Sequence, residues 1–396
     1  MEKLFHKILS ITLYFLVFLL PFFFLNTTQE YFTTNKFYFL GFGVLLLILI
    51  SSLQLLVSRK LSWQKKPFDN FVLLFLTAMA ISVVLSSPNK IQALLNPSFG
   101  LVMMISLAVL YFYLSRSQSN TWVGHARPLQ IVSIILSLIT IVFYFQPFKN
   151  VALPQNLAFL KNPAFTPVGS QLDLAILLGF LVIIGIVQII KQGRPQGIAP
   201  TRSRIYDLGS IILSLLALFL TVYSIIRAGH ALPLQLPPFR LSWFAALEIL
   251  KNPQTAIFGI GLDNFSAIFT RVKDFAYNQS PLWQINSFNV SRSAVLQIFT
   301  ETGIIGLLSF GLLIFSVMKS AFVKTTADKQ FISLFVYLII CLFVFPPSLI
   351  VWFLFFVVLG LVSQQSNNET MKQSTDLSNL MPIYIGTVII SIGLIG

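Results

Sequence analysis

Arg227, Arg240, Arg271, Lys273 and Arg292 lie beside or between apolar residues within one stretch of 66 residues. A guanidinium is a planar fork of donors that matches phosphate and diphosphate oxygens two at a time, whereas an ammonium acts as a point charge. Placed next to lipid, such groups suit a diphosphate whose hydrocarbon tail stays in the bilayer. The plainer alternative is that each one snorkels to headgroups as an interface anchor. Arg227 and Arg292 end the two apolar runs that flank the stretch, which makes them the stronger candidates for ligand binding.

Glu301 falls about two turns inside the apolar run that follows, in Gln297-Ile-Phe-Thr-Glu-Thr-Gly303. No other apolar run has an acid near its middle; Asp173 comes close but sits at the end of its run. A carboxylate at membrane depth is costly unless it is protonated, paired or in contact with water. It can orient an arginine such as Arg292, relay a proton, or act as a hydrogen-bonded structural acid between helices, and the sequence leaves these open. Of the three histidines, His6, His125 and His230, only His230 falls in the arginine-rich stretch, as a candidate proton acceptor or an incidental residue. There is no metal-ligand cluster, P-loop or nucleophile elbow, so neither metal nor cofactor is expected and soluble-enzyme chemistry finds no support.

The elements that must position these residues are apolar helices. Of 396 residues, 56% are hydrophobic and 10% charged, with 40 Phe and a mean hydropathy of +0.85. A soluble domain carries about 25% charged residues, so the class is membrane protein. The same composition excludes disorder and fibrous repeats, and the single Cys341 excludes a disulfide scaffold. A helix needs about 20 apolar residues to cross the hydrocarbon. Runs that meet or approach this are Ile8–Leu25, Phe37–Val57, Phe71–Leu85, Leu95–Leu114, Leu129–Phe145, Leu172–Ile190, Leu208–Ile226, Ala294–Met318, Phe331–Phe345, Ser348–Val362 and Met381–Gly396. The fold expected is therefore an all-α polytopic membrane protein of about 11 transmembrane helices, the short pair around Pro346-Pro347 being the least clear-cut. The first run follows Lys3 and Lys7 as a signal peptide would, but its length and the lack of a small-x-small site make it a retained helix. Met381–Gly396 rises only about 24 Å, and a continuation past Gly396 would give a twelfth helix.

Placing the N-terminus in the cytoplasm puts sixteen of the 26 Lys and Arg in inner loops and four in short outer loops. The remaining six lie in the long gap, which is a poor reporter of topology. The formal charge of +14 is thus an anchoring pattern, and no nucleic-acid partner is expected. Three parts follow: helices 1–7 in residues 1–226, a long extracytoplasmic loop in 227–293, and helices 8–11 in 294–396. That loop is rich in Phe, Trp, Leu and Ile. Within it, Leu241–Leu250 has a helical apolar stripe ended by Lys251-Asn-Pro253, and with Trp243 and Phe244 such a helix can lie at the membrane interface. Phe258-Gly-Ile-Gly-Leu-Asp-Asn-Phe265 reads as a tight turn; without a preceding strand it is no dinucleotide fingerprint.

Taken in order, Arg240-Leu-Ser-Trp243, Lys251-Asn-Pro253, Gly259-Ile-Gly-Leu-Asp-Asn-Phe265 and Leu296-Gln-Ile-Phe-Thr-Glu-Thr-Gly-Ile-Ile-Gly-Leu307 resemble the O-antigen ligase and O-antigen polymerase superfamily. The detailed match runs over about Arg227–Leu313. The resemblance implies a metal-independent glycosyltransferase that moves a glycan from undecaprenyl diphosphate to an acceptor at the outer face of the bacterial inner membrane. It implies Arg240 and Arg227 as a diphosphate clamp, although the segment after Arg227 is shorter than the family's usual connection. Trp243, Asn264, Arg271, Lys273 and Glu301 are further substrate-binding candidates. The family's catalytic histidine is replaced here, where Ser291-Arg292-Ser293 stands in place of Ala-His-Asn. Arginine is always protonated and cannot serve as an ordinary general base. Either Arg292 stabilises the leaving diphosphate while another group such as His230 takes the proton, or this branch does different or no transfer chemistry. The competing functions are a transporter or flippase for lipid-linked glycans, and a catalytically inactive member acting in envelope polysaccharide assembly. The acceptor (glycan, lipid or protein) and the oligomeric state are not set by the sequence.

Overall fold

The computed structural model describes residues 2–26, 30–117, 122–192, 201–228, 235–323, 329–365 and 373–376. Among these the chain is helical apart from one short antiparallel ribbon, β1 (Lys60–Trp63) on β2 (Gln373–Asp376). Along the chain come α1 (Glu2–Leu19), α2 (Thr33–Ser58), α3 (Asp69–Ser86), a short α4 (Lys90–Leu95), α5 (Leu101–Arg116), α6 (Trp122–Tyr144), α7 (Gln171–Gln192) and α8 (Thr201–Ala228). Four short helices follow: α9 (Phe239–Glu248), α10 (Pro253–Phe258), α11 (Phe265–Val272) and α12 (Phe275–Asn278). The chain then returns to long apolar helices, α13 (Ala294–Val323), α14 (Lys329–Val344) and α15 (Leu349–Gln365). Six of the long helices are long and apolar enough to cross a membrane, and four shorter apolar segments accompany them.

Ten of the eleven apolar runs are helices in the structure; Met381–Gly396 lies outside the described residues. Boundaries differ where a breaker intervenes. The first helix gives way to a 3-10 turn over Leu20–Phe22, where Pro21 brings no amide. The fourth run does not begin at Leu95. Asn96 turns the chain instead, its side-chain oxygen accepting the amides of Ser98 and Phe99 at 2.7 and 3.1 Å, and α5 starts only at Leu101. The tight Pro346-Pro347 turn holds: Ser348 caps α15, its hydroxyl accepting the Val351 amide at 3.2 Å.

A helix apolar on all sides must be surrounded, and α15 is that helix. Every residue from Leu349 to Leu361 with a side chain is buried, and Trp352 lies among the rings of Phe75, Phe99, Phe310 and Phe355. Gly360 lets α5 approach, since a Cβ there would meet Leu114 Cβ at 2.8 Å.

Alternate connections meet at opposite ends of the bundle. At one end the buried Lys36 amine donates to the carbonyls of Phe23 and Pro167 at 2.9 and 2.8 Å, and the Ala294 amide donates to the Phe345 carbonyl at 3.0 Å. At the other, Asp69 receives Arg116 at 2.5 Å and the Tyr111 hydroxyl at 2.9 Å, while Gln364 donates to the Ser117 carbonyl at 2.5 Å. The four short helices α9–α12 belong to the first end, where Asn96 in the 87–100 connection donates to Asp263 and Gly261 lies against Ser87.

Candidate functional site

Pro237-Pro238 lead into α9, with Pro238 at its N-cap. Its inward face carries Leu241, Ser242, Ala245 and Ala246, all buried; the small residues let α9 sit close to its neighbours. Its outward face carries Phe239, Trp243, Phe244 and Leu247, all exposed. An exposed apolar face beside long apolar helices fits the lipid boundary. Asn252 then caps α10, accepting the Gln254 amide at 2.9 Å with Pro253 in the first turn. Leu241 and Ala245 join Phe265, Ile268, Phe269, Tyr277 and Phe288 in a second apolar core, separate from that of the bundle.

This unit is fastened to the bundle by glycines. Gly259 and Gly261 have φ of 76° and 88°, and the turn they make lies against α13 at a break of its own, Gly303, with φ of 67°. A Cβ on Gly259 would fall 2.2 Å from the Glu301 carbonyl oxygen; one on Gly303 would fall 2.4 Å from the Ile257 oxygen. The amides of Ile260 and Gly261 donate to the carbonyls of Thr300 and Glu301, each at 3.1 Å.

Glu301 is fully buried at this crossing. Its Oε1 accepts the Gln297 amide group at 2.6 Å and the Phe265 backbone amide at 3.3 Å. Oε2 is buried without a hydrogen bond of ordinary geometry. Gln297 in turn accepts the Ser291 amide at 2.5 Å. Glu301 therefore does not orient Arg292: among the described residues no ion pair joins them. Its neighbours give it the role of a hydrogen-bonded acid that holds the glycine turn and the residues before α13.

Arg292 is placed through its backbone. Its amide donates to the Ser242 hydroxyl at 3.0 Å, which sets it beside the helix carrying Arg240 and Trp243. The side chain is half-buried, and burial pulls its pKa below the usual guanidinium value. Arg240 lies over the Phe244 ring at 5.6 Å and pairs with Asp274. Asp274 is held in place as the cap of α12, its Oδ1 accepting the Tyr277 amide at 3.0 Å. The Lys273 amine sits 4.8 Å from the centre of the Tyr277 ring and reaches the Asn286 carbonyl at 3.4 Å.

The structure thus brings Arg240 and Asp274 together on the exposed side of α9, while Arg292 meets α9 through its backbone at the buried Ser242. Arg271 is exposed in the last turn of α11 and Arg227 is exposed in the last turn of α8. Asn264 makes a local bond, its amide donating to the Leu262 carbonyl at 3.0 Å. His230 lies outside the described residues. Among the described residues no group of three or more His, Cys, Asp or Glu is placed to hold a metal.

Sequence reasoning missed Asp263 and Asp274. Asp263 adopts a left-handed φ of 62° and takes a hydrogen bond from Asn96. Burial pushes its carboxyl up, against the opposing pull of Asn96 and Gln92. Its position directly after Gly-Ile-Gly-Leu is the one signal that could have marked it, while nothing in the local sequence pairs Asp274 with a residue 34 positions earlier. No protein-family model matches the chain, and no curated protein matches it.

Proposed function

We propose that this chain crosses the bacterial inner membrane about eleven times with its N-terminus in the cytoplasm, and that it is an O-antigen ligase-like glycosyltransferase. It takes a glycan from polyprenyl diphosphate at the outer face and moves it to a glycan, lipid or protein acceptor. The observation that carries the reading is the hydrogen bond from the Arg292 amide to the Ser242 hydroxyl. It ties Arg292 to the helix of Arg240 and Trp243, giving two guanidiniums on a unit whose exposed apolar face suits the lipid boundary. A diphosphate held there keeps its tail in lipid, and fixed cations aimed at the leaving group stabilise charge that develops as the glycosidic bond breaks. No metal is required for such a step when guanidiniums supply the charge.

The break in α13 beside a buried acid is also a feature of transporters. Here, however, both the break and Glu301 are filled by the glycine turn and its amides, which supports a fastening role over an ion path.

The test is release of polyprenyl diphosphate by the full chain in proteoliposomes. The probe is an undecaprenyl-diphosphate-linked oligosaccharide with a panel of glycolipid, peptide and oligosaccharide acceptors. Acceptor-dependent release that is lost in Arg240→Ala and Arg292→Ala supports the reading. Movement of the intact lipid across the bilayer without release would replace it with transport.

A further inference from the structure

Any transfer to a hydroxyl must place a proton somewhere, and Arg292 cannot take it. Residues 227–293 contain three acids, Glu248, Asp263 and Asp274. Glu248 is bound to Lys251 in the adjoining turn at 2.6 Å, away from either arginine. Asp263 is engaged by Asn96 within the glycine turn. Asp274 alone is joined to a candidate diphosphate ligand, Arg240.

Resting on the transferase reading, we propose that Asp274 is the general base of the transfer, covered by Arg240 until a diphosphate takes the guanidinium. The carboxyl group is fixed through Oδ1, which caps α12 through the Tyr277 amide, while Oδ2 faces Arg240. Lys273, its chain neighbour, is occupied with the Tyr277 ring and the Asn286 carbonyl and does not take Arg240's place. The Arg240 and Asp274 side chains are 56% and 35% exposed, so substrate can reach both. An exposed ion pair is held weakly and exchanges readily, and a diphosphate, with more charge and more acceptor oxygens, outcompetes a single carboxylate for a guanidinium. Donor binding therefore frees Oδ2 beside the leaving group.

The step then balances. The acceptor oxygen attacks the anomeric carbon and its proton passes to Asp274 Oδ2. The bond from the anomeric carbon to the diphosphate oxygen breaks, its electron pair staying on the diphosphate against Arg240 and Arg292. The proton on Asp274 is afterwards lost to water. Oδ2 is released from Arg240 only when a donor is bound, so an empty site keeps the base paired.

Asp274→Asn keeps one oxygen, which still caps α12 through the Tyr277 amide, and puts an amide group without basicity in place of Oδ2; Asp274→Glu keeps the basicity with altered reach. Both are compared with wild type in proteoliposomes, using undecaprenyl-diphosphate-linked oligosaccharide, the acceptor panel and a separate donor-binding measurement. The expected result is a loss of about 100-fold or more in acceptor-dependent release for Asp274→Asn, as general-base removal gives, with donor binding no weaker and, the competing carboxylate being gone, tighter. Asp274→Glu should recover part of the rate. Release at the wild-type rate by Asp274→Asn overturns the base assignment and leaves the transferase reading standing. So does a loss matched by an equal loss of donor binding, which would make Asp274 a positioning residue for Arg240. Failure of wild type to release diphosphate with any acceptor overturns the transferase reading and the base with it.

Discussion

The Ser82 hydroxyl donates to the Glu301 carbonyl at 2.6 Å, joining residues 219 positions apart. The break at Gly303 turns that carbonyl toward outside donors, so it serves α3 and the Gly261 amide together. One carbonyl therefore binds the third helix, the glycine turn and α13 into a single crossing, and the side chain of the same residue secures α11.

Replacing Glu301 separates its two possible contributions. Glu301→Leu leaves the Phe265 amide and the Gln297 side chain without their acceptor, at about 1–3 kcal/mol for each stranded donor. Glu301→Gln keeps one side-chain oxygen as acceptor for both donors at nearly the same volume. The expected order of thermal stability in detergent is wild type close to Glu301→Gln, with Glu301→Leu well below both. A Glu301→Leu variant as stable as wild type would remove the fastening role.

Gly261→Ala should be among the most damaging small substitutions in the chain. Its φ of +88° disfavours any side chain, and the added Cβ would lie 2.5 Å from Ser87 Cα, which is backbone and cannot swing away. The matched control is Gly311→Ala, where the new methyl meets nothing within 4 Å and a helix gains about 0.5–1 kcal/mol from losing glycine. Thermal melts of the two should move in opposite directions.

Ser242→Ala removes the acceptor of the Arg292 amide and little else, since the side chain is small and buried. A stability loss of about 1 kcal/mol is expected, alongside a fall in diphosphate release of about tenfold if Arg292 is displaced. Equal release by the variant would show that the backbone bond does not position the guanidinium.

Asp263 makes a pH prediction with a definite sign. Burial raises its pKa, so the folded protein holds this proton more tightly than the unfolded chain. Stability from this group is therefore greatest at acid pH, falls as pH rises from the ordinary Asp value of about 3.9 through the raised one, and is flat above it. Asp263→Asn keeps an acceptor for Asn96 and suits the left-handed backbone, so it should stabilise at pH 7 and give no gain below the ordinary carboxylate range. Melting temperatures of both proteins across that window test it.

The long helices were legible because each needs only a run of apolar residues, and the Gly259–Phe265 turn because two glycines two apart admit few other readings. The helix α9 was legible through the apolar stripe of Leu241–Leu250 and its stop at Lys251-Asn-Pro253. The partners of the charges were not. Asp274 meets Arg240 only because Phe269, Tyr277 and Phe288 fold α11 and α12 back onto α9, a contact set by packing and not by spacing. Of the roles open to Glu301, its hydrogen bonds to the Phe265 amide and Gln297 match the structural one, and the glycine turn that brings the Phe265 amide is invisible in the spacing of α13. The start of the fourth run was misplaced because Asn96 carries its own turn, which hydropathy does not see.

The break at Gly303 also bears on how α13 fits a bilayer. Unbroken, its 30 residues would rise about 45 Å, well beyond a hydrocarbon core of about 30 Å, and would force tilt or local thickening. Residues 304–323 after the break rise about 30 Å by themselves. In a membrane matched to that half, Gln297 and Glu301 stand at headgroup depth, and α13 reaches the short-helix unit as a short post on a full-length crossing helix. Lengthening or shortening residues 304–323 by one turn would then raise or lower Arg292 relative to the lipid phosphates, so bilayer thickness becomes a variable to which the site is mechanically coupled.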